Sequence, residues 1–258
     1  MIALFAALIG PWFINWDDYK ANFEAEAEKI LGQPVHVVGS ADASILPSPS
    51  LTFTNVEVGD TEGQPMMTVE KFAVTIELLP LIQGEIRVIS MKLEKPTVRV
   101  SVDDTGQVDW LLRTDLSREL DPAKVVLNGV EVTDGTLIYT DAGAGSTITL
   151  KDIRAQIEAR TLAGPWRIEG STTKDGVPVQ FTVATGSVDN DGKLRVKVDA
   201  TPGQMPIAIG ADGMIGWSDV GLSYVGTYNL TQVVASEGRE PGDSPGWRSE
   251  GSFNLTRE

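Results

Sequence analysis

The sequence predicts a mainly β protein with one N-terminal helix, an α+β chain built from repeated, mostly antiparallel strand units. Three observations carry this expectation. One stretch near the N-terminus has helical periodicity, apolar residues alternate with period two from residue 34 onward, and two motif pairs recur about 80 residues apart.

Composition narrows the function before any motif is read. Of 258 residues, 41% are hydrophobic and 22% charged, so the chain can bury a core and is not disordered. Lys and Arg number 21 against 36 Asp and Glu, a net charge of −15, and such a field repels phosphate backbones. Nucleic acid is therefore not an expected partner. The absence of cysteine removes disulfides, thiolate metal sites and cysteine nucleophiles together, and His36 is the only imidazole.

Residues 1–14, MIALFAALIGPWFI, carry no charge. About 20 apolar residues are needed to cross a hydrocarbon core, so the run is too short to span, and no Lys or Arg precedes it as a signal peptide would require. It is read as a partial transmembrane segment, the C-terminal part of a longer one, with an amphipathic or buried helix as the alternative. The flank that follows is acidic (Asp17, Asp18, Glu24, Glu26, Glu28), whereas cytoplasmic flanks tend to be rich in Lys and Arg. The bulk of the chain is expected outside the cytoplasm.

Residues 15–33 form the predicted helix. Trp16, Tyr19, Phe23, Ala27 and Ile30 recur at spacings of three and four, with Asn15 as N-cap, Asp17 and Asp18 at the positive end of the dipole, and Gly32 and Pro34 as the stop. The apolar stripe must cover something, and only sheet follows.

Strands then alternate to the end. Phe72, Val74, Ile76 and Leu78 form one apolar set; Val98, Val100 and Val102 a second; Val177, Val179, Phe181 and Val183 a third; Leu194, Val196 and Val198 a fourth. Between them lie turn formers such as Asp104-Thr105-Gly106, Asp134-Gly135, Asp175-Gly176, Asn190-Asp191-Gly192 and Asp212-Gly213.

The repeat divides the chain. WRIEGS at Trp166–Ser171 returns as WRSEGS at Trp247–Ser252, and DGTLIYTD at Asp134–Asp141 returns as DGMIGWSD at Asp212–Asp219. The expected units are residues 34–112, residues 113–202 and the truncated start of a third at residues 203–258. Repeat arrays need capped ends, so the natural chain is expected to continue past Glu258.

Catalytic constellations are missing. His36 sits in an alternating strand, Ser218 in GWSDVG is no nucleophile elbow, Asp189-Asn190-Asp191-Gly192 lacks the later acidic ligand of a calcium loop, and Asp103-Asp104 is a turn. No catalytic residue, metal or cofactor is expected, and the chain reads as a non-enzyme. The apolar strand face admits two solutions: a second layer closing a core, or a curled sheet forming an open groove that a lipid covers. Alternation alone leaves both open. A glycan-binding cleft is a remote third, since no convergent carboxylates or aromatics are visible.

The stretch from Pro11 to Trp110 resembles the N-terminal region of the AsmA-like family of double-membraned bacteria. The matching residues are PWFINWDDYKANFEAEAEKILGQPV, ILPSPSLTFTNVEVG, TVEKFAVTIELLPLIQGEIRVISMKLEKPTVRV and the closing DDTGQVDW, of which Leu79–Ile86 followed by Leu93–Pro96 is the most specific. Residues 128–171, with NGVEVTDGTLIYTD and LAGPWRIEGS, resemble the family's next unit. Asp109 stands where an asparagine commonly precedes the tryptophan. The resemblance implies an inner-membrane anchor and a periplasmic β-groove that moves phospholipid in outer-membrane biogenesis, with the helix Trp16–Leu31 capping the membrane-proximal end. Implied partners are phospholipid acyl chains, the inner membrane and outer-membrane assembly proteins; a structural or regulatory module that acts by protein binding is the alternative. Alternation picks Phe53, Phe72, Val74, Ile76, Ile86, Val88, Val98 and Val100 as groove residues, with the phase open, because a slip of one residue exchanges the faces.

Overall fold

A computed structural model of the chain describes residues 15–46, 48–59, 64–77, 79, 87–104, 126–159, 164–189, 192–218, 221–233 and 246–256. The predicted partial transmembrane segment and the groove residue Ile86 lie outside the described residues. A 3₁₀ turn, Trp16–Tyr19, leads into α1, Lys20–Leu31. Fourteen strands follow: β1 Val35–Val37, β2 Ala41–Ser44, β3 Ser50–Val58, β4 Met67–Ile76, β5 Arg87–Glu94, β6 Thr97–Val102, β7 Val126–Asp141, β8 Ser146–Ala159, β9 Trp166–Lys174, β10 Val177–Thr185, β11 Leu194–Pro202, β12 Ile207–Ser218, β13 Gly221–Gln232 and β14 Arg248–Thr256. All belong to a single sheet.

The helix starts and stops for different reasons. Gly32 adopts φ 66 and its N–H bonds to the Glu28 carbonyl at 2.8 Å, the left-handed ending foreseen from Gly32-Gln33-Pro34. The N-terminus departs from expectation: Asn15 makes no side-chain cap, and its amide instead donates to Asp18 Oδ1 at 3.1 Å, because the chain enters through a 3₁₀ turn. Two carboxylates on this segment tie down the sheet edge. Asp17 Oδ1 accepts the Ala41 N–H at 2.8 Å and Glu24 Oε1 accepts the Val37 N–H at 2.6 Å, satisfying donors of the outermost strands. Trp16, Phe23 and Ala27 pack on the sheet, while Tyr19 is 48% exposed.

The sheet is antiparallel except at one junction. β5 and β6 lie in line and both run parallel to β7, β5 beside its first half and β6 beside its second. Period-two patterning cannot distinguish the two senses of pairing.

A crease crosses the first half of the sheet. Asn55, Lys95, Asp134 and Asp152 all take left-handed backbone, with φ between 49 and 53, at corresponding levels of β3, the β5–β6 join, β7 and β8. Each lets the side-chain alternation skip one position, so Phe53 and Val56, Leu93 and Pro96, Val132 and Gly135, and Leu150 and Ile153 face the same side three residues apart. On β4 the skip falls at the exposed pair Glu70-Lys71, between Val69 and Phe72. The break between β1 and β2 continues the line, with Val38 N–H bonded to the Asn55 carbonyl and Gly39 N–H to that of Thr54. The outward pairs at the skips on β4 and at the β5–β6 join are bridged by charge, Glu70 to Lys95 at 2.7 Å and Lys71 to Glu94 at 3.3 Å, and Asp134 on β7 reaches Arg154 at 3.1 Å, whereas the β3 pair, Thr54-Asn55, is uncharged. Lys95 is held above its ordinary value, chiefly by the hydrogen bond from its ammonium to Glu70.

The repeated motifs occupy equivalent strands. DGTLIYTD lies in β7 and WRIEGS in β9; DGMIGWSD enters through β12 and WRSEGS runs into β14. Five antiparallel steps separate β7 from β12 and β9 from β14, so the second copy runs opposite to the first. Trp166 and Trp247 consequently begin their strands at opposite rims of the sheet.

Candidate functional site

Side chains sorted by register give the two faces of the sheet opposite chemistry. One row of cross-strand neighbours reads Phe53, Phe72, Leu93, Val132, Ala155, Gly170, Phe181, Ala200, Ile209 and Leu230 from β3 to β13. The next row reads Leu51, Val74, Met91, Val130, Ile157, Ile168, Val183, Val198, Ala211 and Tyr228. Between them, on the other face, runs Thr52, Ala73, Lys92, Glu131, Gln156, Glu169, Thr182, Asp199, Gly210 and Asn229, with Lys92 and Glu131 paired at 3.0 Å. Ten strands span nine intervals of about 4.8 Å, so each apolar row is about 43 Å long.

The apolar face is concave at its start. Val88 on β5 and Ala159 on β8 share one buried cluster with Val74 although β7 lies between them.

Cover on this face is uneven. At the β1–β4 end α1 lies over Val35, Ala41, Phe53, Val56, Val58 and Val69. Phe23 meets Phe53 edge-on at 5.2 Å and Phe53 stacks on Phe72 at 6.3 Å. Past β8 the buried apolar side chains thin out to Val196 and Pro202 among the described residues. Ile209 is 38% and Tyr228 36% exposed although both sit in the apolar rows. Strands there make extensive contacts only with their sheet neighbours, so no second layer covers them among the described residues.

Aromatic rings floor the far end. Tyr224 lies across Gly213, where an added Cβ would stand 2.8 Å from its ring, and its hydroxyl donates to the Val196 carbonyl at 3.4 Å. Tyr228 lies across Gly251 in the same way, and Tyr224 and Phe253 pack with centroids 4.7 Å apart. Burial pushes the Tyr224 phenol above its ordinary value. Gly213 and Gly251 of the repeat thus make space for rings, Gly170 for close backbone approach, and Gly135 for the side chains of Val132, Ile153 and Pro96.

The seven described groove residues chosen from alternation all lie on this face. Phe53 is buried under α1, Phe72 packs beside it, Val74 and Val88 are buried in the second cluster with Ile76 against them, and Val98 and Val100 are half-buried on β6. The choice omitted Val69, at 2% the most deeply buried side chain, because the skip at Glu70-Lys71 places it out of phase with Phe72. It also omitted Trp166, which packs against the second cluster and whose buried Nε1 has no hydrogen-bond partner among the described residues. Its recurrence in the repeated WRxEGS motif was the available signal.

Among the described residues, side-chain chemistry does not assemble elsewhere. His36 is exposed in β1 opposite Glu57, Ser218 ends β12, and Asp189 Oδ1 accepts the Lys193 N–H at 2.8 Å in a hairpin turn. No group of three or more potential metal ligands occurs among the described residues. No described helix is long and apolar enough to cross a membrane.

Residues 1–237 match the family model described as the AsmA family. Searches of curated proteins and of solved structures give no match.

Proposed function

The chain belongs to the AsmA family, a family linked to outer-membrane biogenesis, and from that premise we propose that it is a non-enzymatic module that carries phospholipid along its concave face. In this reading the bulk of the chain is periplasmic, residues 1–14 contribute to an inner-membrane anchor, and the units 34–112, 113–202 and 203–258 are successive lengths of one path. α1 closes the end beside the anchor.

One observation carries the reading: the apolar rows run from β3 to β13, and among the described residues no second layer covers them beyond β8. A phospholipid with roughly thirty methylenes costs on the order of 20 kcal/mol to expose to water, at about 0.8 kcal/mol each. A path that ever broke its apolar lining would strand the chains at a large fraction of that cost. Continuous cross-strand rows avoid such breaks, and the polar opposite face keeps the sheet soluble.

Photo-crosslinkers at neighbouring positions of β10 and β11 test it. Phe181 and Val198 face the apolar rows, and Thr182 and Asp199 the polar one. Phospholipid capture is expected at Phe181 and Val198 and absent at Thr182 and Asp199. Equal capture on both faces, or capture of protein alone, would instead favour a scaffold that acts by binding assembly proteins.

A further inference from the structure

We propose that the indole N–H of Trp166 is a polar anchor in the groove that donates to the ester carbonyl oxygen of a glycerolipid whose acyl chains lie along Val74, Ile76, Val88 and Ala159. The inference rests on the lipid-carrying reading and gives it a specific contact.

Trp166 opens β9 beside Ala159 of β8, and its backbone N–H is taken by Thr185 Oγ1 at 3.0 Å. Its ring packs on the cluster formed by Val74, Val88 and Ala159, to which Leu51, Phe72, Ile76 and Met91 also belong. Gly164 presses against the ring from the chain side: a Cβ there would stand 3.0 Å from Cδ1 and 3.2 Å from Nε1. That edge is therefore shielded from solvent while its N–H finds no acceptor among the described residues. Buried indole donors are normally paired, because an unmade hydrogen bond leaves the desolvation of the donor uncompensated. Such a donor beside an apolar surface fits a ligand that is apolar along most of its length and carries one acceptor.

The acceptor's class follows from the surroundings. The ring's partners Val74, Val88 and Ala159 are apolar and offer nothing to offset the desolvation of a bare phosphate or carboxylate laid against them. An ester carbonyl is neutral, accepts one N–H and sits directly at the head of an acyl chain. In the inverted second copy, Trp247 stands at the other rim and is 48% exposed, so the two repeats do not offer equivalent anchors.

The full chain would be titrated with two phosphatidylglycerols presented from vesicles, one with ester-linked and one with ether-linked chains, which differ in the carbonyl oxygens alone. One net hydrogen bond corresponds to about a two- to tenfold preference. The diester should bind that much more tightly, and Trp166→Phe, checked for fold by circular dichroism, should erase the preference between the two lipids. Trp247→Phe should leave the preference intact, and if Trp166→Phe fails to fold, loss of the preference in Gly164→Ala, which crowds Nε1, supplies the same reading. Equal weakening of both lipids by Trp166→Phe would assign the donor to the headgroup and overturn the ester contact. Undiminished preference in the variant would also overturn it. Failure of both lipids to bind the parent chain would overturn the lipid-carrying reading itself.

Discussion

At the scale of single residues, the crease makes the most specific demands. Left-handed backbone costs an L-residue about 1–2 kcal/mol, least for Asn and Asp, whose side chains bond locally, and most for β-branched residues. Asn55→Val should lower the free energy of unfolding in urea by about 1–2 kcal/mol, whereas Asn55→Gly should stay within about 0.5 kcal/mol. Equal effects would mean that the position tolerates ordinary extended backbone. Val69 is demanding for a different reason. At 2% exposure it fills space between β3 and α1, and Val69→Ala should cost about 2 kcal/mol through lost transfer energy and the cavity left behind. Surface ion pairs such as Lys71 with Glu94 are half-exposed on both sides and should each shift stability by less than about 1 kcal/mol.

At the scale of elements, α1 is fastened to the sheet by packing and by two carboxylates. The hydrogen bond from Lys20, with that from the Ala41 N–H, holds Asp17 below its ordinary value of 3.8. Its folded pKa thus lies beneath its unfolded one, so its contribution is complete above 3.8 and disappears as pH falls through the folded value. Amide protection of α1, measured relative to free peptide, should fall below that pH in the parent chain, and Asp17→Asn should lack this acid-dependent component. The same acid sensitivity in both would assign the loss to other carboxylates. Tyr19, counted in the helix stripe, is exposed, and the Ile30 side chain lies outside the described residues. Trp16, Phe23 and Ala27 of the stripe and the Gly32 stop were legible before folding, because i, i+3 and i, i+4 spacing is a local property. The 3₁₀ entry was not, since it follows from Asp17 reaching β2, 24 residues away.

At the scale of the molecule, one sheet serves as core at one end and as open floor at the other. A buried unpaired charge beneath α1 has no route to water, so Phe53→Asp should prevent folding. Val198→Asp lies on the half-buried floor, so the chain should stay folded, with phospholipid capture at Phe181 falling about tenfold. Unfolding by both variants would reveal a closed core along the whole sheet. The sequence by itself determined the strand class, the helix and, within each run, which residues share a face, because a period of two needs no knowledge of neighbours. Tertiary structure decided what depends on neighbours. The skip at Glu70-Lys71, in line with the left-handed residues Asn55, Lys95, Asp134 and Asp152, put Val69 on the same face as Phe72; five antiparallel steps inverted the second repeat; and α1 reaches only the β1–β4 end, so that among the described residues β9 to β14 carry no second layer. Each of these is a relation between segments distant in the chain, and periodicity along one strand carries no record of what, if anything, is packed above it.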